Sequence, residues 1–552
     1  MTTFRALVVD DDDWVRKKGG DASDVERGIE VLLAKNKEEA AELIAENFLH
    51  LAVVDLELRR DARRLGEGRT VLRGLLQARP SCRRILLTQH ATEFPEGVFE
   101  LTKPDSPVVY GAINKGDLDE YFHRYVRAFA EDWQRAPVEI TNLEEIFELI
   151  SAKQVTGEAV LGREVAVTAD ELRYVLASLF GQRLRDVMEP ADPDDVERIQ
   201  LTPFFGGKSR SIVLHGRPVN RLGGEGLLCV VKVGPREDAQ QELRRYEQYV
   251  RFQMSLQRRV ELLGQSIGDT LGAIAYSFAA EDPAEVRDLQ TLLNGADRNA
   301  FVHFDRLYGE AGNWGAEGEE GDDLGSFFHE AYALKPHAVR ERISDFADDQ
   351  ADAHGWQHRR DELRVKGGKL VLPTAEAIGG GLLHMDYRTA VVHGDLNASN
   401  VILGDAERSI LIDYRHTTRG PRALDYASMH ASIRLSDPAR KQSIDSVAAD
   451  EAHEYSLWQH DWGDREGWWP PGASGEPPYW LTAAATLMGV TGQRLPDLSR
   501  AEHAATCWLY ALRVFRVRAL DKDARLRILI WLSALQRVLA EESKQPLEDG
   551  DG

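Results

Sequence analysis

A chain of 552 residues is too long for one hydrophobic core, so a multidomain protein is expected. A composition of 43% hydrophobic and 29% charged residues fits a globular protein and excludes a disordered or fibrous one, while a formal charge of -23 argues against nucleic acid or an anionic membrane leaflet as the main partner. The three cysteines, Cys82, Cys229 and Cys507, lie far apart without a C-x-x-C pair, which leaves no disulfide framework or cysteine zinc site and points to a reducing, cytoplasmic compartment. No apolar leader precedes the first strand-like run and no uncharged stretch is long enough to span a bilayer, so neither a targeting signal nor a membrane anchor is expected.

From Phe4 to about Glu131, short apolar runs alternate with amphipathic stretches, the pattern of a parallel α/β sheet. The expected strands are RALVVD, IEVLLA, LAVVDL, RRILLT and VVYGAIN, separated by helical segments such as NKEEAAELIAENF and TVLRGLLQAR. A five-stranded, doubly wound parallel sheet over residues 1–132 follows. Residues 133–195 read as a helical connector, with apolar spacing in LEEIFELI and ADELRYVLASLF, ended by the Pro/Asp run EPADPDD. Next come strand-like pieces, IQLTPFF, SIVLHG and GLLCVVKV, and a helix, AQQELRRYEQYVRFQM, which make a small β lobe over 196–280. The remainder, 281–545, is mainly helical, with a strand-rich island at 391–415. A Trp/Pro/Gly segment near the end carries Trp462, Trp468, Trp469 and Trp480, which are assigned to packing. His384, His416 and His430 have no metal-ligand spacing and receive no role.

Parallel sheets place ligands at the carboxyl ends of their strands. Here those ends are acidic: Asp10 and Asp11 follow the first strand and Asp55 ends the third, a set suited to a hard divalent cation such as Mg2+. A hydroxyl, Thr88, ends the fourth strand, and an ammonium, Lys115, follows the fifth. The segment resembles a response-regulator receiver domain. The resemblance implies that Asp55 accepts a phosphoryl group from a histidine kinase, that Asp10 and Asp11 bind Mg2+, that Thr88 is the switch hydroxyl and that Lys115 pairs with the phosphate. Gly116 stands where that family usually has proline, so Lys103-Pro104 is a rival for the lysine.

The most specific local signal is VVHGDLNASNVIL followed by ILIDYR. Asp395 and Asn400 share one turn-rich loop, where a carboxylate can orient or deprotonate a hydroxyl and an amide oxygen can bind a metal, and Asp413 ends the next strand as a second metal ligand. Phosphoryl transfer needs this set, because its catalysis is largely positioning and charge neutralisation. It also needs a cation for the nucleotide phosphates. Lys232 lies in the apolar run LLCVVKV, where an unpaired ammonium would be costly, and the following helix offers Glu242 or Glu247 as partner. Upstream, PFFGGKSRS places Gly206 and Gly207 in a turn whose amides could cover phosphates.

These residues resemble the aminoglycoside/choline phosphotransferase branch of the protein-kinase-like fold, from roughly Ile199 to the C-terminal helices. The resemblance implies an α+β bilobal domain using ATP and Mg2+, with Asp395 as catalytic base, Asn400 and Asp413 as metal ligands, Lys232 on the nucleotide phosphates and Glu242 as its helix partner. It further makes His393 a brace for the loop and Asp425 the structural aspartate. The expected function is a two-component-type signalling protein whose receiver, alone or by forming a homodimer, controls transfer of the ATP γ-phosphate to a hydroxyl acceptor. The alternative is a nucleotide-binding adaptor that transfers nothing.

Overall fold

The structure, a computed structural model, describes residues 3–56, 58, 67–88, 111–117, 122–124, 126–130, 138–160, 163–180, 196–203, 210–220, 223–278, 287–309, 320–321, 323–374, 377, 385–403, 408–460, 462 and 476–543. The chain divides into two compact units, one of Met1–Leu243 with Glu261–Phe278, the other of Arg244–Val260 with Ala279–Gly552. Among the described residues no helix is long and apolar enough to cross a membrane.

The first unit opens on a sheet of β1 (Phe4–Val9), β2 (Ile29–Ala34), β3 (Leu51–Asp55), β4 (Arg83–Thr88) and β5 (Gly111–Asn114) in the order β2-β1-β3-β4-β5. Every pairing is parallel, and the order is that of the flavodoxin-like doubly wound fold. One face is sealed by α2 (Lys37–Glu46) and α3 (Glu67–Ala78) around Ile44, Leu72 and Leu75; the other packs Val15, Phe122 and Val126 against Val8, Val53 and Leu87. Burial on both faces is why the central strands β1 and β3 read as nearly continuous apolar runs. The segment after Asp11 does form a helix, α1 (Asp13–Gly20), capped by Asp12, whose carboxylate accepts from the Trp14 N–H. It ends on glycines because it lies against β1: a Cβ at Gly19 would come 2.9 Å from the Val8 side chain.

The stretch read as a helical connector contains two helices, Leu143–Ala152 and Ala169–Ser178, and also an antiparallel hairpin of Thr156–Val160 with Arg163–Ala166. The alternation of REVA turns Val165 inward, and Val165 is buried in the parallel-sheet core beside Ile44 and Leu75. Beyond it, strands Thr202–Pro203, Ile212–Gly216, Cys229–Pro235, Leu271–Ser277 and Leu262–Ile267 form an antiparallel five-stranded sheet in that order, whose inner face joins the connector helices in one core.

A buried polar network ties these parts of the first unit together. Arg79, at the end of α3, is fully buried; its guanidinium donates to the carbonyls of Ile44 and Ala45 and lies 3.4 Å from Glu171 and 3.8 Å from Asp269. Glu171 accepts from Thr270 N at 2.5 Å, Thr270 Oγ1 at 2.7 Å and Leu271 N at 2.9 Å, and Asp269 accepts from Ser81 N at 2.9 Å and Ser81 Oγ at 2.7 Å. Burial, reinforced by the Glu171 charge, pushes the Asp269 carboxyl up to about 7, against Arg79 and Ser81. Because the folded value exceeds the unfolded one, the native state holds more protons over that interval, and its stability declines as pH rises from about 4 to about 7. Asp269→Asn is expected to flatten this dependence in denaturant titrations run at about pH 5 and about pH 8. An unchanged slope would remove Asp269 as its source.

The second unit is mainly helical. Its long helices Tyr479–Arg494, Arg500–Phe515 and Lys522–Glu542 are buried along much of their length, and Trp480, Trp508 and Trp531 lie in that core. Trp480 therefore packs as expected of it, while Trp468 and Trp469 lie outside the described residues. A small sheet pairs Tyr387–Val392 with Thr418–Pro421, and a hairpin pairs Val401–Leu403 with Ser409–Leu411. Between these pairs runs the loop of greatest chemical interest.

Candidate functional site

At the carboxyl edge of the parallel sheet, β1 and β3 deliver Asp10 and Asp55 side by side, because they are adjacent and in parallel register. One carboxylate oxygen from each of Asp10, Asp11 and Asp55 falls within 4.8 Å of the others, with Asp11 exposed and the other two buried. Lys115 Nζ lies 2.7 Å from Asp55 and 2.9 Å from Asp10. Burial raises the Asp10 carboxyl above its ordinary value, against hydrogen bonds from Asp12 N–H and Lys115. Burial acts to lower the Lys115 ammonium, yet its bonds to Asp55 and Asp10 leave it raised. The carboxylate set fits a hard cation with oxygen ligands, and the lysine beside Asp55 fits an anion formed there. Thr88 ends β4 in register with Asn114, while Lys103 lies outside the described residues.

In the antiparallel sheet of the same unit, Lys232 sits mid-strand between Val213 and Ile274. Its Nζ lies 2.6 Å from Glu242 Oε2 on the helix Arg236–Arg245, and Tyr276 Oη donates to the other Glu242 oxygen at 2.9 Å. Glu247 instead pairs with Arg251 at 2.9 Å, so the structure joins Lys232 to Glu242. Gly206 and Gly207 lie outside the described residues.

In the second unit the loop between Val392 and Val401 is held from behind. Asp425 accepts from His393 N at 2.8 Å and Gly394 N at 2.9 Å, and His393 Nε2 meets the Ile412 carbonyl at 2.8 Å. Asp425 and His393 thus occupy bracing positions. Gly394 has φ +78°, and a Cβ there would meet the His416 carbonyl oxygen at 2.3 Å. Gly394→Ala is accordingly expected to distort the loop, at a cost of about 1–3 kcal/mol in local strain, read as a lower midpoint in denaturant unfolding. An unchanged midpoint would refute that.

Asn400 Nδ2 donates to the Asp395 carbonyl at 2.8 Å, and its Oδ1 has no hydrogen-bond partner among the described residues. Asp413 has φ 64°, a left-handed conformation that aspartate tolerates better than most residues. An amide oxygen and a carboxylate are the donors that suit Mg2+.

Asp395 itself is a quarter exposed, and its Oδ1 accepts from Tyr510 Oη and Arg513 Nη1, both at 2.9 Å. Its Oδ2 has no hydrogen-bond partner among the described residues. Burial would raise this carboxyl, but the Arg513 charge above all holds it below its ordinary value, so it stays ionised. Arg513 lies 4.1 Å from the Tyr332 ring centroid and 4.9 Å from that of Tyr510, and Tyr332 Oη donates to the Gly394 carbonyl at 2.5 Å. Burial pushes the His416 imidazole down to about 4.

Tyr332, Tyr510 and Arg513 were not legible as site residues. The one available signal is the i, i+3 spacing of Tyr510 and Arg513 on the helix Arg500–Phe515, which puts both on one face but names no partner.

Residues 245–468 match the model of the phosphotransferase enzyme family. No curated protein matches the chain. Among solved structures, it is similar to a CheY-like response regulator receiver domain from Methanospirillum hungatei, with 25% identity, 24% of this chain and 98% of that chain covered and a TM-score of 0.19. It is similar also to a thermostable mutant of an aminoglycoside phosphotransferase, with 14% identity, 62% and 95% covered and a TM-score of 0.32. A third is the choline kinase of Streptococcus pneumoniae, with 9% identity, 61% and 93% covered and a TM-score of 0.29.

Proposed function

We propose that this chain, which joins a receiver domain to a phosphotransferase-family domain at 245–468, moves the γ-phosphoryl group of Mg-ATP to a hydroxyl acceptor. The observation that carries the reading is Asp395, ionised and braced through Asp425, with one carboxylate oxygen engaged and the other open. In the reaction, Asp395 Oδ2 orients the acceptor hydroxyl and takes its proton as the oxygen bonds to the γ-phosphorus and the bond to the β-phosphate oxygen breaks, releasing ADP. Asn400 and Asp413 would hold Mg2+, which neutralises charge on the phosphates when bound. Lys232, fixed by Glu242, would hold the nucleotide phosphates; a lysine paired with a helix glutamate is the arrangement that kinase-type phosphoryl transfer requires.

Control is assigned to the receiver. Phosphorylation of Asp55 by a histidine kinase would place an anion beside Lys115 and bias the receiver between two states, with or without homodimer formation. The test is transfer from labelled Mg-ATP into small-molecule and protein fractions of a bacterial extract, with and without beryllofluoride. Label moved by wild type and not by Asp395→Asn, at a rate that beryllofluoride changes in wild type but not in Asp55→Asn, supports both parts. Nucleotide binding without transfer would favour the adaptor.

A further inference from the structure

The surroundings of Asp395 restrict what the acceptor can be. Arg513 gives Nη1 to Asp395 Oδ1 and no other hydrogen bond among the described residues, so the rest of its donor fork is uncommitted. The Arg513 side chain is 15% exposed and that of its partner Asp395 25%. Tyr332 and Tyr510 fix the guanidinium by stacking, and Tyr510 also bonds the carboxylate oxygen that Arg513 holds. An arginine and a carboxylate can meet by two parallel N–H···O bonds, but here one oxygen carries both partners. Among the described residues, fork edge and Oδ2 are therefore both hydrogen-bonding groups of one cluster without a partner.

We propose that Arg513 binds the acceptor, and that the acceptor is a hydroxyl compound bearing an oxyanion, a carboxylate or a phosphate, close to the hydroxyl that faces Asp395 Oδ2. The proposal rests on the kinase reading for the hydroxyl but not for the oxyanion. A planar, rigid donor fork matches a two-oxygen anion. A cationic group cannot satisfy these donors and would be driven against a fixed positive charge. A site whose polar groups need a partner rejects analogues lacking it more strongly than an apolar pocket rejects a change of size.

The test uses the full chain saturated with Mg2+ and a non-hydrolysable ATP analogue, and measures binding of four probes of similar size by calorimetry: glycerate, glycerol 3-phosphate, glycerol and 3-amino-1,2-propanediol. At least one oxyanion is expected to bind about tenfold or more tighter than glycerol, with the amine weakest, and the pair of anions shows which oxyanion is preferred. Arg513→Gln is expected to abolish the preference without changing nucleotide affinity; Arg513→Lys, which keeps the charge but not the fork, should restore only part of it. The proposal is overturned if neither oxyanion binds, if glycerol or the amine binds as well, or if the Gln variant keeps the preference. With an acceptor that turns over, the Gln substitution should raise KM more than it lowers kcat; the opposite split would place Arg513 on the transferring phosphoryl group instead. Retained anion preference with no transfer to any acceptor would sink the kinase reading and leave this one standing.

Discussion

Asp395→Asn is expected to lower the transfer rate by about 10²–10⁴-fold, the range for losing a positioned general base, while ATP affinity changes by less than about twofold. The asymmetry follows from where the side chain points. Oδ1 is spent on Tyr510 and Arg513, and Oδ2 has no hydrogen-bond partner among the described residues. An amide of the same shape preserves one acceptor oxygen but cannot take a proton, and it leaves Arg513 without its counter-charge. The loop should survive, because its bracing runs through the Asp425 carboxylate and the Gly394 and His393 amides rather than through the Asp395 side chain. Single-turnover transfer and nucleotide binding measured on the same preparation decide it. A loss of binding equal to the loss of rate would mean the residue supports nucleotide rather than chemistry.

Arg79→Met should destabilise the first unit by about 3–5 kcal/mol, the cost of stripping one partner from a buried ionic cluster. The substitution removes the cation and leaves Glu171 and Asp269 buried near one another, where each disfavours the other's charge. It also orphans the Ile44 and Ala45 carbonyls to which Arg79 donates. Removing a carboxylate charge as well, in Arg79→Met with Asp269→Asn, is expected to recover a substantial part of the loss, since an uncharged cluster of similar volume is tolerated far better than a broken pair. Denaturant unfolding of the two variants beside wild type provides the readout. A loss below about 1 kcal/mol for the single variant would show that the cluster is hydrated and energetically slack.

What could be read from the sequence divides along a physical line. The parallel sheet was legible because strands buried on both faces announce themselves as apolar runs, and Asp10 and Asp55 because a carboxylate ending such a run needs a reason. Lys232 was legible on the same ground, and its choice of Glu242 over Glu247 required the geometry, since both glutamates follow on adjoining turns. The hairpin at Thr156–Val160 escaped because its strands carry little alternation apart from Val165, whose burial depends on a surface more than a hundred residues earlier in the chain. Glu171 shows how a local rule can mislead. Thr168 and Glu171 spell a helix-capping pair, and Thr168 Oγ1 does accept from Glu171 N at 3.2 Å, yet the glutamate side chain turns to Thr270 and Leu271. Arg79 and Arg513 were unreadable because a charged residue on an amphipathic helix is ordinarily solvated, and nothing within the helix names a partner 92 or 118 positions away.

The Arg79 cluster also bears on how such a protein can be taken apart. A parallel-sheet module trimmed at residue 132 would lose Val165 from its core and leave a guanidinium built for burial facing water, while the remainder would present Glu171, Thr270 and Leu271 without their cover. The parallel-sheet module is therefore no interchangeable cassette. A graft that exchanged it for another module of the same fold would have to splice after residue 180 and match the Thr270 turn as well, so in this chain the parallel sheet and the antiparallel sheet are inherited as one piece.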